Sequence, residues 1–243
     1  YFDLKSSQPY SKIQGQKKMP GAEWFIDCEL NYVEQLLRAK DITPHKMAIV
    51  SYSETHGKET LTWSELSQQV SSLADHFKKM GVIKGDRIVA VLPNTPAALI
   101  AFLATASLGA IWSICAPDMG HVAILDRFKQ IEPKILIAQD GYIYADKKID
   151  RREVLKTIID GLSSLQKKII LPVVGSLPED ALSWDSLLTQ EVDFSPVQVP
   201  FDHPLWIVYS SGTTGNPKPI VHGHGGILVC LLYTSPSPRD SIR

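Results

Sequence analysis

Five short apolar runs, at residues 87–92, 110–114, 134–138, 168–171 and 205–208, are continuous rather than alternating, and helical patterns lie between them. A strand that is apolar on both faces must be covered on both faces, and strand–helix alternation supplies that cover from each side. The chain is therefore expected to be an α/β protein built on a mainly parallel sheet with helices on both faces. The same alternation is read as starting earlier, with a strand at 47–50.

The helical signals are specific. Tyr32, Val33, Leu36 and Leu37 fall at helical spacing between residues 31 and 38. Thr62 and Glu65 form a capping box ahead of Leu66, Val70, Leu73 and Phe77, and Gly81 is placed to end that helix. Thr95 as N-cap and Pro96 in the first turn open an uncharged Ala/Leu-rich helix that Gly109 closes. Further helices are expected around Val122, Ile124, Leu125 and Phe128, over 154–159, and as one or two turns at 183–188. The interval 140–152 is polar, contains Gly141 and is given no element.

The last apolar run changes character abruptly. It continues into Tyr209, Ser210, Ser211, Gly212, Thr213, Thr214, Gly215, Asn216, Pro217 and Lys218, with two glycines, four hydroxyl side chains and one lysine. Glycines let successive N–H groups converge into an anion nest, hydroxyls add uncharged donors, and a lysine adds one mobile positive charge. Such a set suits a polyphosphate, each bond to a charged oxygen contributing about 1.5–3 kcal/mol. The stretch is not the Walker loop G-x-x-x-x-G-K-S/T, because two residues separate Gly212 from Gly215 and Pro219 follows Lys218. A solvated turn, with Lys218 a plain surface lysine, is the alternative.

Composition narrows the class. With 243 residues, 44% hydrophobic and 21% charged, the chain can bury a substantial core. A formal net charge of -1 gives no electrostatic case for nucleic acid. No apolar run approaches the ~20 residues of a membrane span, and the start lacks a signal-peptide layout. Cys28, Cys115 and Cys230 are too scattered for a structural metal site or a disulfide framework, which points to a reducing, cytoplasmic setting. His222 and His224 form an H-x-H pair, but that spacing at a helix start turns the rings apart, so no metal site is assigned.

The pattern S-S-G-T-T-G-x-P-K resembles the signature loop of the adenylate-forming enzymes, which join a carboxylic acid to AMP. Other stretches resemble the acetoacetyl-CoA synthetase branch: Leu30, Asn31, Tyr32 and Glu34; Gly109 to Ser113 with Pro117 and Asp118; Asp126, Arg127 and Phe128 with Pro133 and Lys134; and Val221, His222, Gly223, Gly225 and Gly226. The likeness runs from about residue 24 to 228.

The resemblance implies part of an ATP-dependent acetoacetate–CoA ligase, or of another short-chain acyl-CoA synthetase, using ATP, Mg²⁺ and coenzyme A on small-molecule acids. A non-catalytic nucleotide-phosphate-binding module is the reading from another class. The resemblance also implies that Ser210, Ser211, Gly212, Thr213, Thr214, Gly215 and Lys218 contact the ATP phosphates. Lys147 and Lys148, in a basic cluster with Arg151 and Arg152, fall where related synthetases meet the coenzyme A phosphate; a solvated charge run is the other reading. In those relatives small glycines stand where this chain has Ala145 and Asp146. Trp112 either lines the acyl pocket or fills the core.

The expected organisation is an N-terminal segment over 1–23, an incomplete N-terminal adenylation domain over 24–230, and a Ser/Pro-rich tail over 231–243. Pro236 and Pro238 keep that tail from continuing a helix, and it is expected to be foreign sequence from read-through or assembly. Such a piece alone, without the family's later metal, adenine and lysine motifs, is expected to lack ligase activity.

Overall fold

In the computed structural model, which describes residues 4–54, 57–175, 181–190, 192–210 and 215–234, the five apolar runs lie side by side. In chain order, β1 (Lys12–Gln14) pairs antiparallel with β2 (Trp24–Ile26), and β3 (Glu29–Leu30), α1 (Tyr32–Leu37) and α2 (Ala39–Ile42) follow. Next come β4 (Met47–Ser53), β5 (Gly57–Thr62), α3 (Trp63–Lys79), β6 (Arg87–Val91), α4 (Pro96–Ser107), β7 (Ile111–Cys115) and α5 (His121–Phe128). After β8 (Ile135–Gln139) come β9 (Gly141–Tyr144), β10 (Lys147–Asp150), α6 (Arg152–Asp160), β11 (Lys167–Leu171) and β12 (Leu182–Ser183). The chain then runs through β13 (Val199–Pro200), β14 (Pro204–Ser210), β15 (Lys218–Gly223) and α7 (His224–Thr234).

The central sheet has the order β12-β11-β8-β6-β7-β14-β15. Every neighbouring pair is parallel except β14 and β15. Alternation along the strands feeds two separate cores. Ile88, Ala90, Ile135, Ile137 and Ile169 pack with α3 and α4 residues such as Leu73, Phe77 and Leu103. Val89, Val91, Leu136, Ala138 and Ile170 pack with Ile124 and Phe128 of α5 and Leu155 and Ile158 of α6. The mainly parallel sheet covered on both faces is thus what the continuous apolar runs required.

The capping box is present: Thr62 Oγ1 accepts from Glu65 N–H at 3.2 Å, and Glu65 Oε2 accepts from Thr62 N–H at 2.8 Å. Gly109 closes α4 at φ +67°, where an added Cβ would meet Val199 Cγ1 at 2.9 Å. Thr95 departs from expectation. It stands at the N-cap of α4, but its side chain makes no capping bond; its main-chain carbonyl accepts from Ala98 N–H at 3.0 Å, and Pro96 has no N–H to satisfy.

Two other expectations need correction, and one interval gains elements. The strand at 47–50 is part of β4, but it lies outside the central sheet in an antiparallel hairpin with β5; Tyr52 is 73% exposed on it, so it is covered on one side only. The polar interval 140–152, for which the sequence suggested no element, carries β9 and β10, which form a hairpin with Lys147 opposite Tyr144. Its two turn residues, Ala145 (φ 50°) and Asp146 (φ 61°), are both left-handed. Such turns normally carry Asn or Gly, so the usual sequence signal is missing, and each residue costs on the order of 1 kcal/mol in strain. Finally, the residues before His224 form an edge strand, β15, rather than the start of a helix.

Candidate functional site at the carboxyl edge of the sheet

β14 runs parallel to β7 and ends at Ser210, directly opposite Lys218, the first residue of β15. The glycine-rich stretch is therefore the connection of a β-hairpin that leaves the sheet at the carboxyl end of a parallel strand, the edge at which open α/β sheets bind ligands. Ser211, Gly212, Thr213 and Thr214 lie outside the described residues. Gly215 has φ +100° with nothing near its missing Cβ, a left-handed backbone that side chains disfavour. Lys218 is exposed and Ser210 half-buried.

The strand leading into the hairpin is held from beneath. Ser113 Oγ donates to the Ile207 carbonyl at 2.8 Å, and Tyr209 Oη donates to the Arg127 carbonyl at 2.8 Å. Burial, together with the nearby Cys115, pushes the Tyr209 phenol up to about 12, so it stays protonated as a donor. On the outgoing side Gln130 Nε2 donates to the Pro217 carbonyl at 3.0 Å. Spacing along the chain gave no sign of Tyr209 or Gln130 as loop supports, because both contacts cross more than 80 residues of sequence.

Lys147 and Lys148 sit exposed at the start of β10. Their hairpin also leaves the carboxyl edge, from β8, which lies three strand spacings from β14 and so about 14 Å away along the sheet. The hairpin's tip is tethered where Asp146 N–H donates to Glu54 Oε2 at 3.2 Å. The other two members of the basic cluster are committed elsewhere. Arg151 donates to the Met119 carbonyl, and Arg152 forms an ion pair with Asp150 at 2.6 Å; hydrogen bonds from Arg152 hold the Asp150 carboxyl down to about 2.

Trp112, 5% exposed, lies in the core beneath α4, with its ring 6.3 Å from that of Phe102. His222 lies on β15 with its ring 6.1 Å from Trp206. Among the described residues no group of three His, Cys, Asp or Glu side chains gathers as a metal site, and no helix is long and apolar enough to cross a membrane.

His224 plays a different part. Fully buried at the start of α7, it accepts from Tyr32 N–H through Nδ1 at 3.1 Å, which ties the end of the hairpin to α1. Its proton must then sit on Nε2, for which no partner is present among the described residues. Burial, reinforced by His203, pulls its pKa down to about 3. As pH falls below about 6.5, the unfolded chain takes up this proton before the folded one, so stability present above that pH is progressively lost toward pH 3. The expected loss from His224 alone between pH 7 and pH 5 is about 2 kcal/mol. Urea midpoints measured across that range should fall less steeply in His224→Asn than in the parent, and parallel slopes would contradict the assignment.

Residues 37–240 match the family model described as "AMP-binding enzyme". The chain is 40% identical to an acetoacetyl-CoA synthetase of Gallus gallus across 100% of this chain and 39% of that protein. It is 41% identical to an acetoacetyl-CoA synthetase of Macaca fascicularis across 85% of this chain and 32% of that protein. A solved acetoacetyl-CoA synthetase from Streptomyces lividans superposes with a TM-score of 0.93 at 46% identity, covering 95% of this chain and 36% of that one. The chain thus spans about a third of the length of the relatives it matches.

Proposed function

Since the chain belongs to the AMP-binding enzyme family, we propose that it is the phosphate-gripping part of an ATP-dependent acetoacetate–CoA ligase. The overall reaction converts acetoacetate, ATP and coenzyme A into acetoacetyl-CoA, AMP and pyrophosphate. A carboxylate is a poor electrophile with a poor leaving group. Its oxygen therefore attacks the α-phosphorus of ATP, the bond from that phosphorus to the bridging oxygen breaks, and pyrophosphate departs from an acyl-adenylate. The thiol of coenzyme A then adds to the acyl carbon, losing its proton, and AMP leaves.

The observation that carries this reading is the placement of Ser210 opposite Lys218 at the carboxyl end of a parallel strand, with a left-handed glycine between them. In this reading Ser210, Ser211, Gly212, Thr213, Thr214, Gly215 and Lys218 hold the β- and γ-phosphates, where negative charge grows as pyrophosphate leaves. Fixed donors aimed at developing charge lower a barrier more than they tighten substrate binding. The donor set fits a polyphosphate, being hydroxyls, backbone N–H groups and one ammonium with no carboxylate among them. Mg²⁺, a hard cation that prefers oxygen ligands, adds further neutralisation when bound to the phosphates; no side chain of this chain is assigned to it.

Lys147 and Lys148 are assigned to the phosphate end of coenzyme A. Both are exposed and leave the same edge of the sheet as the loop. Acetoacetate as the acid is supported by the names of the similar proteins. The test is acid-dependent ATP–pyrophosphate exchange by the full-length protein against a panel of short acids. Acetoacetate should give the highest kcat/KM, whereas preference for acetate or propionate would reassign the substrate, and exchange with none of them would reject the ligase reading.

A further inference from the structure

Both strands of the loop hairpin rest on a single turn of the neighbouring helix. α5 is pinned in the core by Ile124 and Phe128, each 0% exposed, and a 3-10 turn, Lys129–Ile131, closes it. From the last turn of α5 the Arg127 carbonyl receives the Tyr209 hydroxyl, while the Arg127 guanidinium donates to the Ala123 carbonyl and lies 5.8 Å from the Tyr209 ring. One turn on, the Gln130 amide donates to the Asp126 carbonyl at 2.6 Å and to the Pro217 carbonyl at 3.0 Å. Tyr209 stands just before the loop and Pro217 at its end, so the incoming and outgoing strands are fastened to one rigid platform.

We propose that Gln130 is a positioning residue for the phosphate loop, fixing its outgoing end, and with it Lys218, relative to α5. The proposal rests on the phosphate role of the loop. Both hydrogens of the Gln130 amide nitrogen are already used on main-chain carbonyls, so Gln130 acts through the backbone of Pro217 rather than by touching a phosphate. Fixing a donor on a polyphosphate costs conformational entropy, and a tether that already holds the backbone leading into Lys218 removes part of that loss beforehand. The effect therefore falls on ATP binding.

Three variants of Gln130 separate this role from simple packing, because the side chain is exposed and its loss leaves the core intact. Gln130→Ala removes both bonds. Gln130→Glu keeps the shape but, when ionised, has no donor and faces two carbonyl oxygens. Gln130→Lys keeps a donor of sufficient reach.

Measured by pyrophosphate exchange in the full-length protein, Gln130→Ala should raise the KM for ATP about fivefold, the equivalent of one net hydrogen bond. The KM for the acid and the kcat should stay within about twofold. Gln130→Glu should raise the KM for ATP at least as much, and Gln130→Lys should restore it. An unchanged KM for ATP in Gln130→Ala, an equal rise in the KM for the acid, or failure of Gln130→Lys to restore binding would overturn the proposal. Lys218→Ala serves as the control: its effect intact with Gln130→Ala silent sinks only the tether, whereas a silent Lys218→Ala sinks the phosphate reading and the tether together.

Discussion

In the full-length protein, Lys218→Ala should lower acid-dependent ATP–pyrophosphate exchange by about 10²-fold and leave the KM for the acid within about twofold. The magnitude follows from where the charge sits. Lys218 opens β15 opposite Ser210, at the mouth of the loop, so under the proposed function its ammonium would meet the phosphates where pyrophosphate gathers charge in the transition state. Removing one well-aimed donor from such a position costs about 2.7–4 kcal/mol of barrier. Because the side chain is exposed, the substitution leaves stability unchanged to within about 0.5 kcal/mol, and the loss is one of rate. Exchange within twofold of the parent would mean that Lys218 is the surface lysine of the competing reading.

The second large effect is on stability. Asn31 is fully buried, and its side chain joins three parts of the chain. Oδ1 caps α1 by accepting from Val33 N–H at 2.8 Å, while Nδ2 donates to the Ala106 carbonyl at 3.1 Å and to the Val197 carbonyl at 2.7 Å. In Asn31→Ala the Ala106 carbonyl still accepts from Gly109 N–H, but the Val33 N–H and the Val197 carbonyl lose their side-chain partner. The buried Val33 N–H left unsatisfied costs about 1–3 kcal/mol, and the lost bond to the exposed Val197 about 0.5–1.5 kcal/mol, so a loss of about 2–3 kcal/mol is expected in urea unfolding. Asn31→Asp keeps the cap but sets a carboxylate against two carbonyl oxygens, and should cost at least as much. A change below about 1 kcal/mol in both would show that this junction carries little of the fold's stability.

What could be read in advance was whatever is written locally. The runs at 87–92 and 134–138 are apolar on both faces, and each lies in the interior of the sheet. The Thr62 and Glu65 pair is reciprocal at three-residue spacing, and the capping box forms. What escaped notice lacked a local signature. β10 follows a left-handed turn made of Ala and Asp instead of Asn and Gly. β15 carries Pro219 as its second residue, which argues against a strand unless that strand lies at an edge, as this one does.

The candidate site divides in the same way. Its donors were legible because hydroxyls, glycines and a lysine are concentrated in ten residues at the end of an apolar strand. The supports were not, since Gln130, Arg127 and His224 act through main-chain groups distant in sequence. Asn31 and Arg127 fall in stretches that resemble the family, but their tasks are visible only in the structure. Asn31 holds the junction of α1 with α4, and Arg127 holds the strand entering the loop.

The central claim is that the hairpin connection between β14 and β15 grips the phosphate tail of ATP. A crystal structure of the full-length protein with a non-hydrolysable ATP analogue tests it most directly. The account places the β- and γ-phosphates within hydrogen-bonding distance, about 2.7–3.2 Å, of the backbone and hydroxyl donors between Ser210 and Gly215, with Lys218 beside them. A triphosphate seated elsewhere on the protein, with this connection open to solvent, would contradict it.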